Sequence, residues 1–179
     1  MLHLVIPAAE FYDEAKEEFV QKSETSLTLE HSLISISKWE SRWGKPFLGS
    51  DEKTEEQTFD YIRCMNVNNN TPKDVYARIQ NEQMAEIQQY IDSKQTATWF
   101  REGSEPPNRE IITSEVIYYW MIELNIPFEC QRWHLNRLLT LIRVINEKRK
   151  PSKAMSTSEI ISRNKSLNAQ RLKQYNTRG

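Results

Sequence analysis

Glycine is scarce in this chain, at 4 residues of 179, where average usage would give roughly 12. Few glycines leave few positions free to take a positive φ. Tight hairpin turns are then rare, which argues against a sandwich or barrel and for helices. Cysteine is scarcer still, with Cys64 and Cys130 alone. No disulfide framework is implied, and two reduced thiols are expected. No apolar run reaches the roughly 18 residues of a spanning helix, so no membrane segment is expected. The opening Met1-Leu2-His3-Leu4-Val5-Ile6 is apolar but short, and Glu10, Asp13 and Glu14 follow it. It lacks the basic leader of a secretory signal, so a cytoplasmic protein is expected. The chain has no H-E-x-x-H, no E-x-x-H, no DxD-type calcium loop and no Gly-rich phosphate-binding motif. Metal-dependent hydrolysis, calcium binding and nucleotide binding therefore have no support in sequence.

What the chain does have is a charge asymmetry. Residues 1–130 hold 12 Lys+Arg against 23 Asp+Glu, a formal −11. Residues 131–179 hold 12 Lys+Arg against Glu147 and Glu159 only, a formal +10. The whole-chain charge of −1 hides this division. A basic back end of this kind points to an acidic counterpart: nucleic acid, another protein, or the chain's own front. Charged residues total 27%, close to the usual ~25%, so wholesale disorder is not expected.

Local patterns favour a mainly α protein. Leu2 to Ile6 reads as a strand ended by Pro7, and Phe19-Val20 and Leu27-Thr28-Leu29 as further short strands. Leu29, Leu33, Ile36, Trp39 and Trp43 step by four, three, three and four, so a helix is predicted over 30–43, stopped by Gly44. Thr54 and Gln57 make a capping box before Phe59, Ile62 and Met65. The polar run 66–70 breaks that helix. Thr71-Pro72 starts another, with Pro at its first position, leading to Val75, Tyr76 and Ile79. Met84, Ile87 and Ile91 continue it or form a separate helix, and 103–108, with Pro106-Pro107, is a loop.

The seven apolar residues from Val116 to Ile122 predict a wholly buried helix over 111–124, with a buried strand as the second reading. A short link through Pro127 predicts an antiparallel return over 129–146. Leu135, Leu138, Leu139, Ile142 and Ile145 would form its buried face, and Arg132, Asn136, Thr140, Arg143 and Glu147 its polar stripe. This antiparallel pair, about 110–146, is expected to be the heart of the fold. A basic linker at 148–153 follows, then a Ser156–Glu159 capping box and a helix over 157–174. Its apolar residues, Ile160, Ile161, Leu167 and Leu172, are too few to dock it firmly by themselves. The expected domains are a body, 1–147, and a basic arm, 148–179.

Cys130 and His134 lie four apart and can be read as metal ligands or as nucleophile and base. A zinc site needs three or four ligands, and only Cys64, His3 and His31 remain, at no recognisable spacing. A cysteine nucleophile needs oxyanion donors, which nothing here supplies. A small thiol and a structural imidazole are the reading adopted, with no catalytic, cofactor or metal site assigned. Glu14, Glu17, Glu18 and Glu24, like Asp51, Glu52, Glu55 and Glu56, read as solvated faces. The arm carries Arg163, Lys165, Arg171, Lys173 and Arg178. It reads first as a docking arm for a protein partner, with the four aliphatic residues as anchors. A solvated tail comes second. Phosphate binding comes third, because Tyr175 alone is available to stack on a base.

Four segments together carry a resemblance: 32–48 (SLISISKWESRWGKPFL), 53–65 (KTEEQTFDYIRCM), 110–144 (EIITSEVIYYWMIELNIPFECQRWHLNRLLTLIRV) and 163–179 (RNKSLNAQRLKQYNTRG). The chain resembles the tail assembly chaperones of long-tailed (siphovirus-type) bacteriophages. The resemblance implies a non-enzymatic protein that binds the long helical tape measure protein, or another tail protein, while the tail tube is built. It implies a place in the cytoplasm of the infected bacterial host and absence from the mature virion. Such a helper needs apolar anchors amid strong charge and many copies, so homo-oligomerisation fits. Trp39, Trp43, Phe47, Trp99 and Phe100 are candidate anchors near loops, with ordinary core as the alternative role. The partner-binding set expected is Trp99, Phe100, Ile160, Ile161, Arg163, Leu167, Arg171 and Leu172. The alternatives are a virion structural protein of the tail or neck, and a small DNA-associated protein using the basic arm.

Overall fold

A computed structural model describes residues 1–13, 17–49, 51–68, 70–100, 111–150 and 157–175. The chain divides into two compact units, Met1–Ile145 and Asn146–Gly179. Helices dominate both. Among the described residues no helix is long and apolar enough to cross a membrane.

The first unit opens with two-stranded ribbons. β1 (Leu2–Ile6) pairs antiparallel with β4 (Thr25–Leu29), with Leu4 opposite Leu27 and Leu2 opposite Leu29. Alternation puts Leu4, Ile6, Leu27 and Leu29 on one buried face and His3 and Val5 outside. β2 (Ala9–Asp13) and β3 (Glu18–Lys22) form a second pair, Phe11 opposite Val20 and Tyr12 opposite Phe19. β2 was not expected, because Glu10 and Asp13 masked its Phe11-Tyr12 centre. The Arg78 guanidinium donates to the carbonyls of Pro7 (2.9 Å) and Ser23 (3.3 Å), bracing the junction of the two ribbons.

Seven α-helices follow among the described residues: α1 (Leu33–Trp43), α2 (Glu55–Met65), α3 (Lys73–Ala77), α4 (Asn81–Asp92), α5 (Ser114–Glu123), α6 (Leu135–Arg149) and α7 (Thr157–Tyr175). Helix α1 starts at Leu33 rather than at residue 30 because the Ser35 hydroxyl accepts from the Ser32 N–H (2.9 Å) and closes the first turn there. Gly44 ends it at φ 61°, the left-handed stop its position suggested. The Thr54–Gln57 box opens α2 as read. Pro72 stands one place before α3, at the cap, not inside it. The expected loop at 103–108, linker positions 151–153, the Ser156 cap and Arg178 lie outside the described residues.

The core is centred on α1. Leu33, Ile36 and Trp39 are buried with the ribbon leucines, Tyr61, Ile62 and Met65 of α2, and Ile117 and Met121 of α5. Its closest backbone neighbours are α2, α5 and a 3-10 turn at Phe128–Arg132. This corrects the expected central pair over 110–146. Helix α5 buries only Ser114, Ile117 and Met121, while Tyr119 and Ile122 are 60% and 61% exposed. Apolar residues surround α5, but it lies on α1 with one face only. The return also differs. After the 3-10 turn, His134 forms a β-bridge with Ser32, so α6 begins at Leu135, not near 129. The Leu135 N–H then bonds the His31 carbonyl (2.9 Å), tying the start of α6 to the link before α1. On α6 the buried residues are Leu135, Leu138 and Ile142, while Leu139 and Ile145 are half-buried.

Buried polar groups fasten these elements. The Glu40 carboxylate accepts from the Phe47 N–H and from the Ser114 N–H, both at 2.7 Å. It joins the loop after α1 to the first turn of α5. Losing it would strand two buried N–H groups, at a cost of about 1–3 kcal/mol each. Asp60 of α2 receives the Arg42 guanidinium and the Trp43 indole N–H (2.9 Å). Trp39 donates its indole N–H to the Gln57 carbonyl (2.9 Å).

A cluster of two histidines and two tyrosines sits deeper. His31 Nδ1 lies 2.6 Å from the Tyr61 hydroxyl, and its ring is 4.9 Å from that of His134. His134 Nδ1 accepts from the Asn136 N–H (3.3 Å), so Nε2 carries the proton and donates to the Tyr90 carbonyl (2.9 Å). Burial, then the neighbouring His134, lowers His31 from 6.5 to about 4, opposed by Asp92. Burial also lowers His134, and it raises the Tyr61 and Tyr90 phenols. The folded chain thus keeps His31 neutral where the unfolded chain protonates it. This stability is fully present above pH 6.5 and declines as pH falls toward 4. Urea unfolding should lose about 2 kcal/mol between about pH 7 and pH 5 from His31 alone. A midpoint that stays flat over that window would contradict a buried neutral His31.

Candidate protein-binding surfaces

Helix α7 has no buried residue. Ile160, Ile161, Leu167 and Leu172 are each 40–51% exposed. Ile160 and Leu167 are about two turns apart, and Ile161 and Leu172 about three. They form two aliphatic rows, with Asn164 and Asn168 between them. Arg163, Lys165, Arg171 and Lys173 stand on the same helix, against Glu159 alone. The arm can therefore offer aliphatic contact and positive charge together. Six of the eight residues expected to bind a partner, Ile160, Ile161, Arg163, Leu167, Arg171 and Leu172, lie on this one helix.

The other two, Trp99 and Phe100, lie in the first unit. Trp99 is 71% exposed, so its core alternative is excluded. Phe100 is half-buried, with the Arg143 guanidinium 4.2 Å from its ring centre. Together with Lys94, Asn136, Thr140 and Arg143 they line a shallow cleft of about 250 Å³. The expected polar stripe of α6 is partly used up here. Asn136 donates to the carbonyls of Ile91 (3.2 Å) and Ser93 (2.9 Å), and the Thr140 hydroxyl to its own helix (2.7 Å). The cleft is cationic, which fits an acidic segment laid along Trp99.

The remaining candidate anchors are not available. Trp39 is buried, and Phe47 packs on it at 5.2 Å and on Tyr61 at 4.1 Å. Lys53 covers the Phe47 ring at 4.3 Å, and burial lowers its ammonium. Trp43 is half-buried and held by Asp60. These three are structural.

Cys130 and His134 are both buried, but both His134 nitrogens are committed to Tyr90 and Asn136. The imidazole has no lone pair left for a thiol proton. Burial raises the Cys130 thiol, away from the thiolate a nucleophile needs. No group of three or more His, Cys, Asp or Glu among the described residues is placed to hold a metal ion.

Two surfaces escaped the sequence reading. One is the outer face of α5, with Tyr119 and Ile122 exposed, and the exposed Phe128, whose ring meets Tyr118 of that helix at 6.4 Å. The other is the β2–β3 ribbon, where Phe11, Tyr12 and Phe19 are exposed and the last two rings meet at 5.1 Å. Tyr119 and Ile122 are three apart with Glu115 and Glu123 alongside. That spacing is the signal of an exposed stripe, hidden by the apolar run around it.

Substitution of Trp99 by alanine should leave thermal unfolding of the chain unchanged, within about 0.5 kcal/mol, as for other exposed sites. Calorimetry of Trp99→Ala checks this, and a loss of several degrees would place Trp99 in the core instead. Comparison with family models, with curated proteins and with solved structures returns no match.

Proposed function

We propose that this protein is a non-enzymatic bacteriophage tail assembly chaperone that binds the tape measure protein, or another tail protein, during virion morphogenesis. The observation that carries the reading is α7, a 19-residue helix with four exposed aliphatic side chains, four basic residues and nothing buried. The sequence resemblance supplies the class of partner. A long helical chain exposes apolar surface until the tube encloses it, and such surface aggregates. A helper that covers it needs contact that is apolar, charge-assisted and weak enough to be released. The α7 arm has those properties. The cationic Trp99–Phe100 cleft offers a second point of contact for an acidic stretch of the same partner. The reading places the protein in the cytoplasm of the infected bacterial host and outside the mature virion. It requires no catalytic group and no cofactor.

Coexpression with the tape measure protein of the same phage tests it. The chaperone reading expects several-fold more of that protein in the clarified lysate, and expects the gain to vanish with Ile160→Asp plus Leu167→Asp. No gain with the wild-type chain would overturn the proposal. Recovery of the protein from purified virions would favour a structural role in the tail or neck instead.

A further inference from the structure

We propose that the outer face of α5 is a docking surface for the α7 arm of a second copy of this chain. Tyr119 and Ile122 are three apart on the exposed side of α5, and Phe128 stands exposed on the 3-10 turn just beyond it. The Phe128 ring lies 6.4 Å from that of Tyr118 on α5, so the turn extends the exposed apolar surface of that helix, a surface of the kind that marks an interaction site. Tyr119 and Ile122 are supported from beneath and cannot simply turn inward. Ile117 and Met121 of the same helix are fully buried, and the Tyr118 hydroxyl is held by Gln131 (3.0 Å).

Charge selects the occupant. From 111 to 132 the chain has Glu115, Glu123 and Glu129 against Arg132 alone, which ends the 3-10 turn. The segment that carries the apolar patch is therefore net acidic. An acidic partner would be repelled there, and a basic amphipathic helix attracted. The chain itself contains such a helix. From 157 to 175 it has four basic residues against one acidic, with exposed aliphatic side chains at 160, 161, 167 and 172. Helix on helix, with aliphatic anchors against Tyr119 and Ile122, is an established recognition mode. One such contact is small and belongs to the weak, transient class. Two copies that exchange arms make it twice under a two-fold axis, so the pair closes and does not polymerise. The second contact is then intramolecular, which raises the avidity of a weak single contact. The inference uses this chain alone and stands or falls apart from the identity of any tail partner.

Sedimentation of the full chain tests it up to about 100 μM, where micromolar contacts are visible. Two variants are used, both changed only at exposed positions. One is Tyr119→Lys plus Ile122→Lys, which breaks the face and keeps the arm. The other is Ile160→Asp plus Leu167→Asp, which breaks the arm and keeps the face. The wild-type chain should rise from 21.2 kDa toward twice that mass, and less so at high salt. Each variant alone should stay monomeric, with circular dichroism confirming that it is folded. An equal mixture of the two should form a one-to-one pair, weaker than wild type because one contact replaces two. A wild-type chain that remains monomeric overturns the proposal. So does a folded variant that associates as wild type does, or a mixture that never pairs.

Discussion

Exposed aliphatic side chains on one helix, α7, set the constraint on which this protein turns. Burying an isoleucine or leucine is worth about 1.5–3 kcal/mol, and α7 carries four of them with none buried. Isolated helices of this length are marginal in water. Formation of α7 and the covering of its apolar rows are therefore thermodynamically linked: whatever covers the rows stabilises the helix. Three basic residues in its last eleven positions, Lys165, Arg171 and Lys173, bias that cover toward acidic surfaces.

The first unit supplies a contrasting kind of order. Its polar interior is nearly fully satisfied. Glu40 fastens two backbone N–H groups, Asp60 takes an arginine and an indole, and His134 spends both ring nitrogens. Such networks specify one arrangement because each group, if displaced, is left buried without a partner. They also commit the groups that chemistry would need. The His134 imidazole is a fastening between α4 and α6, and what the unit offers outward is surface: the Trp99 cleft, the α5 stripe and the aromatic ribbon.

Much of the fold was legible in local chemistry. Gly44, the Thr54–Gln57 box and the alternation from Leu2 to Ile6 act within a few residues of themselves, so their sequence signals suffice. What misled was tertiary. Val116 to Ile122 is apolar all round, yet its main helical neighbour is α1, and Tyr119 and Ile122 face water. Trp39, Trp43 and Phe47 sit near a loop in sequence, but Lys53, Tyr61 and Asp60 close over them from α2 and its approach. The His31–His134 contact joins residues about a hundred positions apart, and no local pattern announces it. The arm was legible because none of its described helix is buried: composition alone showed a basic helix with too few apolar residues to fold against itself.

Hydrogen–deuterium exchange across 157–175 tests the central claim most directly, measured on dilute protein with and without the tape measure protein. The account predicts rapid exchange through α7 in the free chain, and protection centred on Ile160 to Leu172 when the partner is present. Strong protection of α7 in the free dilute chain, unchanged by the partner, would mean that its aliphatic rows are already covered at home, and would contradict the account.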